Sequence, residues 1–176
     1  MKENYDIIIS YISPWIVPKT VLEKTKKWNI NFHPGPPEYP GIGCFNFAIY
    51  DSAIQFGATA HIMNPKVDTG KIIGVKRFSM SKNETVESLS IKTYEAQLAL
   101  FNRIMQHIFS NDCLPKCNET WQRKPFKRSE LEKLATINPN MSKQEINKII
   151  RATYYPGKPA PFIELHGYRF EYNPDR

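Results

Sequence analysis

The segment Tyr5–Ser10 (YDIIIS) is a short, apolar, β-branched run. Such a run predicts a strand buried on both faces, as in parallel sheets. Pro18 opens a helix to about Lys26, because proline is tolerated at the first helical position. Trp28–Phe32 (WNINF) reads as a second strand, completing a βαβ unit whose crossover should be right-handed. Cys44–Asp51 predicts a short helix. Gly57–Met63 and Lys71–Met80 predict strands, joined by the turn-rich NPKVDTG. Ser81 and Glu84 have capping-box spacing and open a long helix over Glu84–Phe109. Apolar residues at 86, 89, 94, 98, 101, 105 and 108 give that helix a core-facing stripe.

After Asn111 the pattern changes. Loops rich in Pro, Lys and Arg lead to a second capping box, Ser142 to Glu145, and a helix to about Ala152. The strands PFIEL and YRFEY follow, joined at His166-Gly167. The fold class is therefore α/β: a core over residues 1–110 and a small α+β appendage over residues 111–176 that ends in a β-hairpin.

Composition narrows the class. The 176 residues are 41% apolar and 23% charged, an ordinary globular balance. No apolar run reaches the length of a membrane span, and MKENYDIIIS lacks the marks of a secretory signal. The expected location is cytoplasmic, without a membrane partner. The three cysteines (Cys44, Cys113, Cys117) are too few and odd in number for a disulfide framework. Cys113 and Cys117 form half a zinc-site spacing without a second pair, and no metal is expected. The net charge of +7 favours anionic ligands in general. Runs such as Arg123, Lys124, Lys127 and Arg128 read as solvated faces, so nucleic acid is not an expected partner.

The candidate chemistry gathers where strand Trp28–Phe32 ends. The segment HPGPPEYPGIG, with four prolines and three glycines, has to be an irregular loop. In open α/β sheets, ligands bind beyond the carboxyl ends of strands. Asn31 and His33 are two apart at that end, so their side chains share a face. Asp68 lies in a second loop. These three types suit acyl transfer: an amide donates to an oxyanion, an imidazole manages a proton, and a carboxylate holds the imidazole. The alternative is that Asn and Asp satisfy turn backbone and that His33 is a surface residue.

The blocks DIIISYISPWIVP, NINFHPGPPEYPG and GATAHIMNPKVDTGKII, in this order, resemble the folate-dependent formyltransferases. That family's pattern is Asn-x-His-Pro with a proline-rich loop, Gly-x-Thr-x-His, then Asp-x-Gly. Here these are Asn31–Pro34, Gly57–His61 and Asp68–Gly70. The resemblance covers about residues 5–110 and implies a partial, doubly wound, Rossmann-like core. It implies Asn31, His33 and Asp68 as the catalytic set and N10-formyltetrahydrofolate as the co-substrate. Trp15, Ile16, Val17 and Pro18 match the pterin-contacting edge, with the backbone of Ile16 and Val17 reading the pterin; core packing is the alternative for these two. His61, Val67, Thr69 and Gly70 would complete the folate side, and His61 is otherwise a strand residue with a satisfied ring. No metal is implied, because the donor is already activated.

The resemblance begins part-way into the family's pattern, leaving Tyr5–Ser10 at a sheet edge that needs covering. A fragment, a short relative, and a homodimer closing the gap all remain open. The tail TYYPGKPAPFIELHGYRFEY is similar to the C-terminal segment of amino-sugar formyltransferases, which act on nucleotide-linked deoxysugars. Gly35, Pro36, Tyr39, Phe45 and Asn46 are the residues the resemblance assigns to that substrate. Methionyl-tRNA and glycinamide ribonucleotide are the alternative acceptors. A truncated non-catalytic relative and a hydrolase passing the formyl group to water are alternative functions.

Overall fold

The computed structural model describes residues 4–175. Among them, four strands form one sheet in the order β1-β2-β3-β4. These are β1 (Tyr5–Tyr11), β2 (Thr25–His33), β3 (Gln55–Ile62) and β4 (Ile72–Ser79). β1 and β2 pair in parallel, while β2–β3 and β3–β4 are antiparallel. The α/β class holds, with its parallel pair at one side of the sheet. A second, two-stranded sheet pairs β5 (Phe162–Leu165) with β6 (Tyr168–Glu171), the expected hairpin.

The sheet packs on α3 (Val86–Asn111) through Ile30, Phe32, Ala58, Ala60, Ile73, Leu100, Ile104 and Ile108. These side chains are removed from water, each contributing on the order of 1.5–3 kcal/mol by burial for the larger ones. Alternation along β2 explains the division of labour. Ile30 and Phe32 point into this core, so Asn31 and His33 point to the other face. A second core forms where Cys44, Ala48 and Ile49 of α2 (Cys44–Tyr50) meet Phe56, Leu89 and Ala152.

Several expectations change. The helix after Pro18 is only α1 (Lys19–Leu22), because Thr25 already pairs with Tyr5 in the parallel ladder. β1 is not buried on both faces: Tyr5 and Ile9 are exposed, since β1 is the last strand of the described sheet. α3 starts one turn later than its first spacing signal. Its cap is Thr85, whose side chain accepts from the Ser88 N–H, while the Glu84 carboxylate accepts from the Ser81 N–H in the preceding turn. The buried face of α3 runs through Leu89, Thr93, Ala96, Gln97, Leu100 and Ile104. Tyr94 and Leu98, assigned above to the core stripe, lie 38% and 54% exposed. Thr93 and Gln97 are buried on the same face as Leu89, Leu100 and Ile104, and the Gln97 amide donates to the Phe32 carbonyl of β2.

α4 (Arg128–Ala135) stands where only loop was expected. Half of its eight residues are charged and its apolar positions are only Leu131, Leu134 and Ala135, too short a run to announce a helix; Glu130 accepts from the Lys127 N–H to start it. α5 (Lys143–Thr153) is capped by Ser142, as its spacing indicates. Glu145, the other half of that spacing, instead accepts from the Tyr50 hydroxyl at 2.6 Å and ties α5 to α2.

Replacing Leu100 by alanine should cost about 3 kcal/mol, transfer and cavity terms together, because this side chain is fully buried between helix and sheet. Equilibrium unfolding in urea reads this directly as a lowered midpoint.

Candidate active site

The ladder between β2 and β3 sets Asn31 opposite His61 and His33 opposite Thr59. The Asn-x-His and Thr-x-His pairs are thus two sides of one antiparallel ladder. Asn31 Nδ2 lies 3.0 Å from His61 Nε2. His61 Nδ1 lies 3.0 Å from the Ile62 carbonyl, and Nε2 faces both the Asn31 amide and Asp68 Oδ1, so the proton on this ring decides which of its neighbours it bonds.

Asp68 enters from the loop between β3 and β4 with φ +45°, a left-handed conformation that aspartate tolerates better than most residues. Its carboxylate is almost wholly buried and both oxygens are engaged. Oδ2 accepts from the Gly41 N–H at 2.8 Å and stands 3.2 Å from His33 Nδ1. Oδ1 stands 3.2 Å from His61 Nε2 and 3.5 Å from Asn31 Nδ2. The other nitrogen of His33, Nε2, is 2.9 Å from the Tyr39 carbonyl.

Two close approaches make this possible. A Cβ on Gly35 would lie 2.6 Å from His33 Nε2, and one on Gly70 would lie 1.7 Å from the Ile62 carbonyl. Neither position accepts a side chain without moving the loop. The Thr59 hydroxyl donates to the Gly35 carbonyl, and the Gln97 amide donates to the Phe32 carbonyl, fixing the chain on either side of His33.

Burial pulls His33 below the ordinary 6.5, outweighing Asp68 and the Tyr39 carbonyl, which pull it upward. Burial pushes Asp68 upward, but His33, His61 and the Gly41 N–H overcome it and hold the carboxyl down at about 2. The charged His33 that would lower Asp68 is the form that burial disfavours. The Gly41 N–H persists in either case, so an ionised Asp68 beside a neutral His33 is the state near pH 7.

The structure brings Asn31, His33, His61, Asp68, Gly35, Tyr39 and Gly70 together. The Trp15–Pro18 segment follows β1, whose Ser10 and Tyr11 pair with Asn31 and Phe32, so it leaves the sheet at the same end. Trp15 and Ile16 are 58% and 64% exposed there, Val17 is buried, and Pro18 precedes α1. Val67 is also exposed, and the Thr69 hydroxyl donates within its own loop to Asn64 or Lys66. Pro36 is buried, and its carbonyl accepts from the Tyr39 N–H. Phe45 and Asn46 have other partners: Phe45 packs on Phe56 and Tyr94, and the Asn46 amide donates to the Ala152 carbonyl at 2.7 Å. They hold α2 in its packing and do not touch the His33–Asp68 cluster.

Sequence reasoning missed Trp121, whose indole N–H donates to the Gly70 carbonyl at 2.8 Å. Its ring lies edge-on to His61 and His33, with centroids 5.1 and 6.0 Å away. It also missed Gly41 as a donor to Asp68. The only signal for Trp121 was a large aromatic in an otherwise polar loop.

A family model described as formyl transferase matches residues 2–105. The chain belongs to the formyl transferase family. The matched region spans the sheet, both motif strands and most of α3, so this family chain carries its buried cluster within the shared part. Over 163 residues it is 26% identical to GDP-perosamine N-formyltransferase of Brucella melitensis, covering 92% of this chain and 62% of that protein. It is 31% identical to methionyl-tRNA formyltransferase of Ehrlichia ruminantium over 106 residues, 60% of this chain and 35% of that one. In structure it is similar to a sugar N-formyltransferase from a Shewanella species, with TM-score 0.81, 19% identity, and coverage of 97% of this chain and 70% of that chain. The family chain thus spans about three-fifths of the length of its Brucella relative.

The carboxylate's position gives a pH signature. Asp68 is depressed to about 2 against an ordinary 3.8, so its contribution to stability is complete above about pH 4 and is lost as pH falls towards 2. The stability gap between the wild type and Asp68→Asn should therefore shrink on acidification through that window. Urea unfolding of both proteins at a series of pH values measures it.

Proposed function

We propose that this chain transfers a formyl group from N10-formyltetrahydrofolate to the amino group of a nucleotide-linked amino deoxysugar. The observation that carries the reading is the convergence of Asn31, His33 and Asp68 around one buried carboxylate, in a chain of the formyl transferase family. The sugar acceptor is favoured by similarity that extends through the appendage, over 92% of the chain, to a GDP-perosamine enzyme. A structural relative from Helicobacter canadensis, 24% identical with TM-score 0.72, is described in complex with folinic acid and dTDP-3-aminofucose.

The chemistry follows from proton counting. A neutral His33 carries one ring proton but faces two oxygens, those of Asp68 and Tyr39. The carboxylate is the stronger acceptor, so the proton sits on Nδ1 and Nε2 is left as a base. The amine nitrogen attacks the formyl carbon, and the carbonyl electrons move to oxygen. The amine proton passes to Nε2, and Asp68 stabilises the imidazolium that forms. Asn31 Nδ2 holds His61 firmly, but its second contact, to Asp68, is long at 3.5 Å. That N–H is the one free to turn to the developing oxyanion. Collapse of the intermediate expels tetrahydrofolate nitrogen, which takes the proton back from His33. The exposed Trp15–Ile16 edge beside β1 is where the folate would lie, with its polar contacts drawn from the backbone.

The test is release of tetrahydrofolate on addition of GDP- and dTDP-linked amino sugars, with methionyl-tRNA and glycinamide ribonucleotide run alongside. Release with an amino sugar alone supports the reading, and release without any amine would replace it with a hydrolase. Asn31→Ala, His33→Ala and Asp68→Ala should each lower kcat by about 100-fold or more while the proteins remain folded. Full turnover in Asp68→Ala would remove the carboxylate from the mechanism.

A further inference from the structure

Residues 119–126 lie as a strap along the proline-rich loop. The Gln122 N–H donates to the Pro37 carbonyl, the Phe126 N–H to the Pro40 carbonyl, and the Ile42 N–H to the Phe126 carbonyl. Glu119 and Glu38 both pair with Arg77 of β4, each at 2.7 Å. Phe126 stacks on Phe47 at 3.7 Å, and the Arg123 guanidinium lies over the Phe126 ring, 3.2 Å from its centre. The strap therefore spans β4, the proline-rich loop and α2, and Trp121 is the residue it sends to the buried cluster.

We propose that Trp121 is a positioning residue of the active site: it covers the His33–Asp68–His61 cluster, keeps water from it, and joins the loop bearing Asp68 to the loop bearing Tyr39. Three facts support this. Its indole N–H reaches the Gly70 carbonyl, two residues from Asp68. Its ring contacts both imidazoles, which are each less than 5% exposed, while Trp121 itself is only half-buried. Its neighbours Gln122 and Phe126 bond the backbone on both sides of Tyr39, whose carbonyl faces His33. An indole there removes solvent from one side of His33 without adding a charge.

The charged and titratable groups facing His33 are few. Asp68 faces it from the loop before β4 and His61 from β3. From α2, the Cys44 thiol donates to the Pro34 carbonyl, and burial pushes it up to about 12, so it stays neutral. Tyr39 offers only its carbonyl, because its phenol donates to Asp51. Removing the indole therefore changes the hydration of His33 more than its charge environment.

The experiment is an NMR titration of the imidazole resonances in the wild type, Trp121→Gln, Trp121→Ala and Trp121→Phe. Trp121→Gln keeps a donor for Gly70 but lacks the ring, whereas Trp121→Phe keeps a ring but lacks the donor. The His33 midpoint should move up towards 6.5 in Trp121→Gln and Trp121→Ala, and stay near the wild-type value in Trp121→Phe. A wild-type midpoint in either ringless variant overturns the proposal. The consequence for turnover rests on the formyl-transfer reading: the acid limb of kcat/KM should rise in step with the NMR midpoint. A wild type that shows the expected titration but turns over no acceptor sinks the formyl-transfer reading and leaves the role of Trp121 standing.

Discussion

A single buried carboxylate organises this protein. Asp68 is almost fully removed from water, and a charge there is tolerated only if its oxygens are satisfied. The partners that satisfy it come from separate places: Asn31 and His33 at the end of β2, His61 on β3, and the Gly41 N–H in the proline-rich loop. Each of these elements is irregular or ends at the site, so local structure alone would not hold it. The carboxylate pins them together, and it favours a proton on His33 against the burial that pulls this ring below its ordinary value.

The sheet explains why the group can be buried at all. Side-chain alternation on β2 sends Ile30 and Phe32 into the core against α3, and the register with β3 places Asn31 beside His61. Gln97 extends the same logic from the helix. Its amide holds the Phe32 carbonyl, so the helix that buries the core face of β2 also steadies the residue just before His33. Around this rigid base, the proline-rich loop closes over His33 through the Tyr39 carbonyl, and glycines at 35 and 70 leave room for the approach. The strap from 119 to 126 then closes the assembly from outside.

Two features of the fold were wholly or partly out of reach of the pattern of residues, and both for physical reasons. The α4 helix is eight residues long, half of them charged, and its apolar run of Leu131, Leu134 and Ala135 is too short to distinguish it from a solvated loop; its start depends on Glu130 reaching the Lys127 N–H. Only part of the buried face of α3 could be told from hydrophobicity: Val86, Leu89, Met105 and Ile108 are buried, but so are Thr93 and Gln97, while Leu98 lies outside. Which side chains are buried at such positions is decided by the partner surface.

The chain's own residues determined the strands, most of the helices, the hairpin, and the three motif blocks that mark its family, because periodicity, capping and loop chemistry act over a few neighbouring positions. They also put Asn31 and His33 on one face, since alternation is a local property of a strand. The tertiary structure alone decided that Asp68 is shared between two histidines, that Gly41 donates to it, and that Trp121 returns from fifty residues further on to cover it. Those contacts join segments far apart in sequence. No local preference encodes them, and they exist only once the sheet has set its register and the loops have closed over a charge that water no longer reaches.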